Sequence, residues 1–385
     1  MPESTSVALR RLTLTDFRNY ERLDLAFSKP LVAFVGDNGI GKTNILEAIS
    51  VLSAGRGLRR APFADIARIG GSGGWSVAAR VLKDDYEIQI GTGLTPGEGG
   101  RRVRIDGEDA KSSETLLDYM RVLWLVPSMD GLFTGPGSDR RRFLDRLTLS
   151  LDPSHGRRVA NFDKALRQRN RLLEHGGSAD YLSAIETQVA ELGTAVSLAR
   201  GETVSLLGET VKAQAATGLP FPLAYLALEG AFETATRGMS AADREDHYRE
   251  LLREGRSRDR AAGRALMGPH LSDLMVRHSA KDMPASQSST GEQKALLIGL
   301  ILAHAELTAS VSGMNPVLLL DEIAAHLDPG RREALFRRLL DLGGQVFMTG
   351  TDVTLFEALP DEGEVFRISS DGAELLAEKN SAPAP

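Results

Sequence analysis

Short apolar runs of strand length recur along the chain, each released into a glycine-bearing or acidic turn. Leu31–Val35 is the first, and beyond its turn Ile45, Leu46, Ile49 and Leu52 return at helical spacing. Residues 316–320 form a second run that ends on Asp321 and Glu322, and residues 345–348 a third that ends on Thr349-Gly350-Thr351-Asp352. These runs predict the strands of a buried parallel sheet with helices between them. Residues 77–82, 86–90 and 102–105 alternate or cluster as shorter strands, with a glycine-rich hairpin loop over 92–100, which suits an antiparallel side sheet. Residues 143–215 and 241–264 carry polar-rich helical patterns, and strands near 223–228 and 274–276 are expected to return the chain to the sheet. A long apolar helix is expected over 295–307, and another helix over 330–342 behind Asp328 as N-cap and Pro329 at its first position.

Composition narrows the class without changing this picture. A chain of 385 residues, 42% hydrophobic and 25% charged, can bury a large core and suits two domains. No apolar stretch reads as long enough for a membrane span, and the start Met1-Pro-Glu-Ser-Thr-Ser has neither a basic nor an apolar leader region, so a cytoplasmic location without a membrane partner is expected. The absence of cysteine excludes disulfides and thiolate metal sites, and the seven histidines show no ligand-like spacing. With a formal net charge of −6, any nucleic-acid contact must come from a local basic patch.

The candidate chemistry starts in the first turn, Gly36-Asp37-Asn38-Gly39-Ile40-Gly41-Lys42-Thr43, which matches a phosphate-binding P-loop in motif and in its strand-before, helix-after context. Glycines 36, 39 and 41 let successive N–H groups point at phosphate oxygens, and the N-terminus of the following helix, entered through Asn44, favours the same charge. Lys42 supplies a cation for the β- and γ-phosphates and Thr43 a hydroxyl for Mg²⁺. A nucleoside triphosphate with Mg²⁺ is therefore the expected ligand. The acids after residues 316–320 form a Walker B pattern: Asp321 for the metal side, Glu322 to orient and polarise the attacking water. Ser289-Thr290-Gly291-Glu292, ahead of the apolar helix, resembles the signature motif of ABC-type ATPases, although as a tetrapeptide it reads equally as a capping box. In that superfamily the signature of one subunit completes the nucleotide site of another, which implies an ATP-dependent homodimer with Ser289, Gly291 and Glu292 at the facing nucleotide. Where ABC-type ATPases carry a histidine switch this chain offers threonines, and residues 124–130 hold no Q-loop glutamine, so slow hydrolysis is expected.

The interval from Thr43 to Ser289 has no sustained heptads, so it is no SMC-type coiled-coil arm, and it is too long for a compact transporter ATPase. Several further segments resemble the RecF family of recombinational repair proteins: residues 12–20, with Phe17-Arg18-Asn19-Tyr20; residues 44–59, leading to Gly55-Arg56-Gly57-Leu58-Arg59; residues 135–145, with Arg140-Arg141-Arg142; and Gly268-Pro269-His270 leading to Asp273. The likeness runs from about Leu12 to Asp352. Ser128 stands where the family favours an acid after proline, and the Gly/Pro order of 135–137 differs. The resemblance implies an α/β fold, an ABC-type ATPase head with a P-loop core sheet and an antiparallel side sheet, interrupted by an inserted helical lobe. The expected boundaries are residues 1–120 and 265–372 for the head, 121–264 for the lobe, and a disordered tail over 373–385. It further implies that Arg18 and Asn19 reach the nucleotide, and that RecO, RecR and RecA are partners in loading RecA at single-strand gaps. Ten cationic side chains face four anionic ones between Asp139 and Arg171, a footprint for the phosphate backbone of double-stranded or gapped DNA, with Arg56, Arg59 and Arg60 as further candidates. Two other readings stay open, a nucleotide-regulated protein adaptor that does not clamp DNA and another ABC-type head ATPase.

Overall fold

In the computed structural model, residues 5–215, 220–370 and 372–376 are described. They fall into two units, one built from the chain up to Asp130 and from Ile301 onward, the other from most of the chain between. The first unit opens with β1 (Val7–Phe17), β2 (Tyr20–Ala26), β3 (Leu31–Val35), α1 (Lys42–Ser50), β4 (Trp75–Lys83), β5 (Tyr86–Leu94), β6 (Arg102–Ile105), β7 (Glu108–Asp109) and β8 (Val122–Leu125). The second holds α2 (Gly137–Leu151), α3 (His155–His175), α4 (Ala179–Gln214), β9 (Ala224–Glu229), α5 (Ala231–Ala235), α6 (Ala241–Glu254), α7 (Arg256–Ala262), β10 (Asp273–His278) and β11 (Met283–Pro284). Within α8 (Thr290–Ser312) the chain passes back to the first unit, which ends with β12 (Val317–Leu320), α9 (Pro329–Asp341), β13 (Val346–Gly350), β14 (Gly363–Ser369) and β15 (Gly372–Leu375).

Two six-stranded sheets build the first unit. The core sheet runs β15-β14-β3-β13-β12-β8 and is parallel apart from β15; the side sheet runs β2-β1-β4-β5-β6-β7, antiparallel throughout. The central strands β3, β12 and β13 are buried at every position, as a sheet covered on both faces requires. Leu12, Leu14 and Val77 of the side sheet, Phe34, Leu319 and Phe347 of the core sheet, and Ile45 and Ile49 of α1 share one apolar cluster. Gln345 fastens strand β1 beside its bulge: its amide accepts from the Leu9 N–H at 2.6 Å and donates to the Leu9 carbonyl at 3.1 Å, pairing backbone groups beyond the end of the β1–β2 ladder.

Four sequence expectations need correcting. First, β5 continues through Gly91 and Gly93 to Leu94, where a loop was expected; a Cβ on Gly93 would lie 2.5 Å from the Trp75 carbonyl, so the glycine serves close strand pairing. Second, β10 does not return to the core sheet but pairs with β9 and β11 in a separate three-stranded sheet. The boundaries move accordingly: β8, buried throughout and parallel to β12, belongs to the first unit, whereas the segment from 265 to Leu300 belongs to the second. Third, β15 pairs residues 372–375 with β14, so the tail expected from 373 is an ordered strand at its start, and residues 377–385 lie outside the described residues. Fourth, α8 is long and apolar enough, with a mean hydropathy of 1.7, to cross a membrane by length and composition, but 67% of that window is buried inside the protein, which makes it a core helix.

The second unit packs Phe162, Leu166, Ile185, Val189, Phe232, Tyr248 and Leu252, from α3, α4, α5 and α6, into its own core. Inside it Arg169 is wholly buried, held by Glu186 at 3.0 Å and Asp259 at 2.7 Å. Arg200 and His155 both bind Asp145, and with His155 buried the carboxyl is kept below its usual range despite the desolvation that opposes this.

Candidate nucleotide-binding site

The loop between β3 and α1 leaves the sheet at the C-terminal ends of its parallel strands. Gly36 and Gly41 have φ of +150° and +122°, and a Cβ would lie 2.5 Å from the Ile368 carbonyl oxygen at the first and 2.5 Å from the Tyr20 hydroxyl at the second. No other residue fits either position without moving backbone or a buried ring. Asp37, Asn38 and Gly39 are exposed at the tip, and Ile40 is half-buried. Lys42 is 5% exposed and its ammonium donates to the Gly36 and Asp37 carbonyls at 2.6 and 2.8 Å. Desolvation lowers its pKa against the opposing pull of Glu322, Asp321 and Asp37.

Adjacent parallel pairing of β12 with β13 brings their ends together. The Thr43 hydroxyl donates to the Asp321 carboxylate at 2.9 and 3.0 Å, and the Thr349 hydroxyl donates to Asp321 Oδ1 at 2.7 Å while accepting the Glu322 N–H at 2.9 Å. Glu322 sits in the left-handed region at φ +53°, and its side chain is partly exposed. Among the described residues no group of three or more His, Asp or Glu forms a metal cage. Mg²⁺ does not need one: a hydroxyl and a carboxylate beside a phosphate cradle match the way it binds, through few protein oxygens plus phosphate and water.

A second layer braces the loop. Arg18 and Asn19 form the two-residue turn between β1 and β2, with Arg18 at φ +55°. Asn19 donates to the Ile40 carbonyl at 2.9 Å and accepts from Asn44 at 2.7 Å. Arg18 grips Glu47 through two hydrogen bonds of 2.6 and 2.8 Å, and Arg59 binds both Glu47 and Asn44 at 2.6 Å. Arg59 is thereby tied to the P-loop helix while its side chain stays 39% exposed. Sequence reasoning missed Glu47, whose only signal is a carboxylate inside the otherwise apolar stretch 45–49.

In the second unit Ser289 and Glu292 form a reciprocal capping box. The Ser289 N–H donates to Glu292 at 3.1 Å, the Glu292 N–H to the Ser289 hydroxyl at 3.4 Å, and Lys281 clamps Glu292 at 2.5 Å. Lys281 and these bonds pull the Glu292 pKa down to about 2. Ser289 and Gly291 stay exposed. The basic segment splits in two. Arg140 is paired with Asp273, Arg141 donates to the Ser272 carbonyl, Arg158 binds Asp152 and Arg169 is buried. Arg157, Lys164, Arg167 and Arg171 instead lie exposed along one face of α3, and no ion pair among the described residues engages them.

A P-loop sheet with an antiparallel side sheet and an inserted lobe defines the class of RecF/RecN/SMC heads, and the family model described as RecF/RecN/SMC N terminal domain matches residues 8–371. The sequence is 56% identical over 362 residues to the DNA replication and repair protein RecF of Mesorhizobium japonicum, covering 93% of this chain and 95% of that one. It is likewise 56% identical over 367 residues to RecF of Brucella suis, covering 94% and 95%. This chain belongs to the RecF family. Its fold is similar to that of the recombination mediator protein RecF-ATPrS of the RecFOR pathway, with a TM-score of 0.86 at 23% identity over 97% of this chain and all of that one. It is also similar, at a TM-score of 0.52 and 17% identity over 96% of each chain, to the Smc head domain of Pyrococcus furiosus.

Proposed function

We propose that this chain is an ATP-dependent DNA-binding protein of recombinational repair, in which ATP bridges two heads, closure aligns a basic surface with duplex or gapped DNA, and slow hydrolysis reopens the pair. The observation that carries this reading is the convergence of the glycine cradle, Lys42, Thr43, Asp321 and Glu322 at the ends of β3 and β12. The relatives named RecF, and a solved RecF described with ATP, support it. When bound, Mg²⁺ would neutralise developing phosphate charge. Thr43 and Asp321 would hold the metal, Lys42 would turn from the loop carbonyls to the phosphates, and Glu322 would orient the attacking water and receive its proton. Ser289, Gly291 and Glu292 would close on the nucleotide of the second copy. The wider role in this reading is loading of RecA with RecO and RecR in the cytoplasm, which membership of the RecF family supports.

The deciding experiment titrates a labelled gapped duplex with the Glu322→Gln protein, with and without ATP and Mg²⁺, at two salt concentrations, reading fluorescence anisotropy. The substitution is expected to reduce turnover at least a hundredfold while ATP binding persists, and to give salt-sensitive DNA binding only with ATP. Unchanged turnover removes Glu322 from its role; absence of DNA binding in every condition favours the adaptor reading.

A further inference from the structure

We infer that Thr349, at the end of β13, is the positioning residue of the Walker B pair, setting the orientation of both Asp321 and Glu322 through one hydroxyl. This rests on the proposed ATP hydrolysis. Of the two threonines beyond β13's apolar stretch, Thr351 is exposed, whereas Thr349 is wholly buried and aimed at the acids. Its hydroxyl proton goes to Asp321 Oδ1 and its lone pair takes the Glu322 N–H, so a rotation of that hydroxyl would disturb both acids at once. Asp321 Oδ1 has a second donor, Thr43, and Thr43 is the hydroxyl that a bound Mg²⁺ would claim. Thr349 is then the donor that keeps Asp321 aimed at the metal while the cation is present. The same contact supports Glu322 in a left-handed conformation that a residue with a Cβ adopts only under outside constraint. Valine has the same shape and neither donates nor accepts, so it isolates the hydroxyl from the packing.

The test compares wild type, Thr349→Val and Thr349→Ser as full chains, measuring kcat and KM for ATP and the Mg²⁺ midpoint for binding of a fluorescent ATP analogue. Thr349→Val is expected to lower kcat at least tenfold, to leave KM within threefold, and to raise the Mg²⁺ midpoint severalfold; Thr349→Ser is expected to keep at least half of wild-type kcat. A Thr349→Val enzyme within twofold of wild type in kcat and Mg²⁺ midpoint overturns the inference, as does an equal loss in the serine variant. Should valine prevent folding, as read by circular dichroism, Thr349→Ala against Thr349→Ser applies the same two criteria. Should wild type show no turnover, the hydrolysis reading falls and the Mg²⁺ midpoint alone decides the role of Thr349.

Discussion

Glu47 is a fully buried carboxylate with two guanidiniums on it, and both come from outside its own helix. A buried charge is tolerable only when paired, and loss of one partner leaves the others uncompensated. Glu47→Gln keeps the volume and withdraws the charge, so Arg18 and Arg59 each lose an anion that holds them beside the P-loop. Removing one member of a buried pair costs roughly 3–5 kcal/mol; with Arg59 more than a third exposed, screening brings the expectation down to about 2–3 kcal/mol. Urea melts should show that loss as a lower midpoint with an unchanged slope, together with weaker ATP binding, because Asn19 and Asn44 are braced through the same residues. A variant as stable as wild type would show that water replaces the carboxylate freely.

Among the elements, α3 carries both parts of a basic segment that composition alone merges, the buried Arg169 and an exposed cationic face that is the candidate for DNA. Arg157, Lys164, Arg167 and Arg171 follow a spacing of seven, three and four, which places them within one face of a helix. Removing a side chain that neutralises one phosphate should flatten the dependence of log affinity on log salt by about 0.9. Lys164→Ala with Arg167→Ala is therefore expected to reduce that slope by about 2 in the anisotropy titration, with circular dichroism unchanged. Arg140→Ala, which breaks the pair with Asp273, should instead destabilise the second unit. Salt slopes equal to wild type in the double variant would assign this face to another partner. The motifs at strand ends were legible because the P-loop and the acids follow buried apolar runs, a local pattern. The internal pairing of Arg140 and Arg169, and the departure of β10 from the core sheet, were not: each depends on a residue far along the chain, Asp273, Asp259 or the register with β9.

At the scale of the whole molecule, the proposed ATP-bridged pair would need a defined contact rather than general attraction, because the net charge is −6, and the exposed, pre-capped Ser289 is the candidate for it. The capping box holds the α8 N-terminus in shape before any ligand arrives and leaves residues 289–291 exposed, where the proposed sandwich would bring the phosphate of a second copy. An arginine at position 289 would place a long side chain where that γ-phosphate must sit, and would cost the cap about 1 kcal/mol. That cost is small against a folded unit with its own core, so Ser289→Arg is expected to bind ATP with wild-type affinity, since the P-loop of its own chain is untouched. Light scattering on the Glu322→Gln background should show ATP doubling the mass of the 41.5 kDa chain, and no such doubling once Ser289→Arg is added. A dimer that persists in the double variant would place the bridging contact elsewhere and end the sandwich reading.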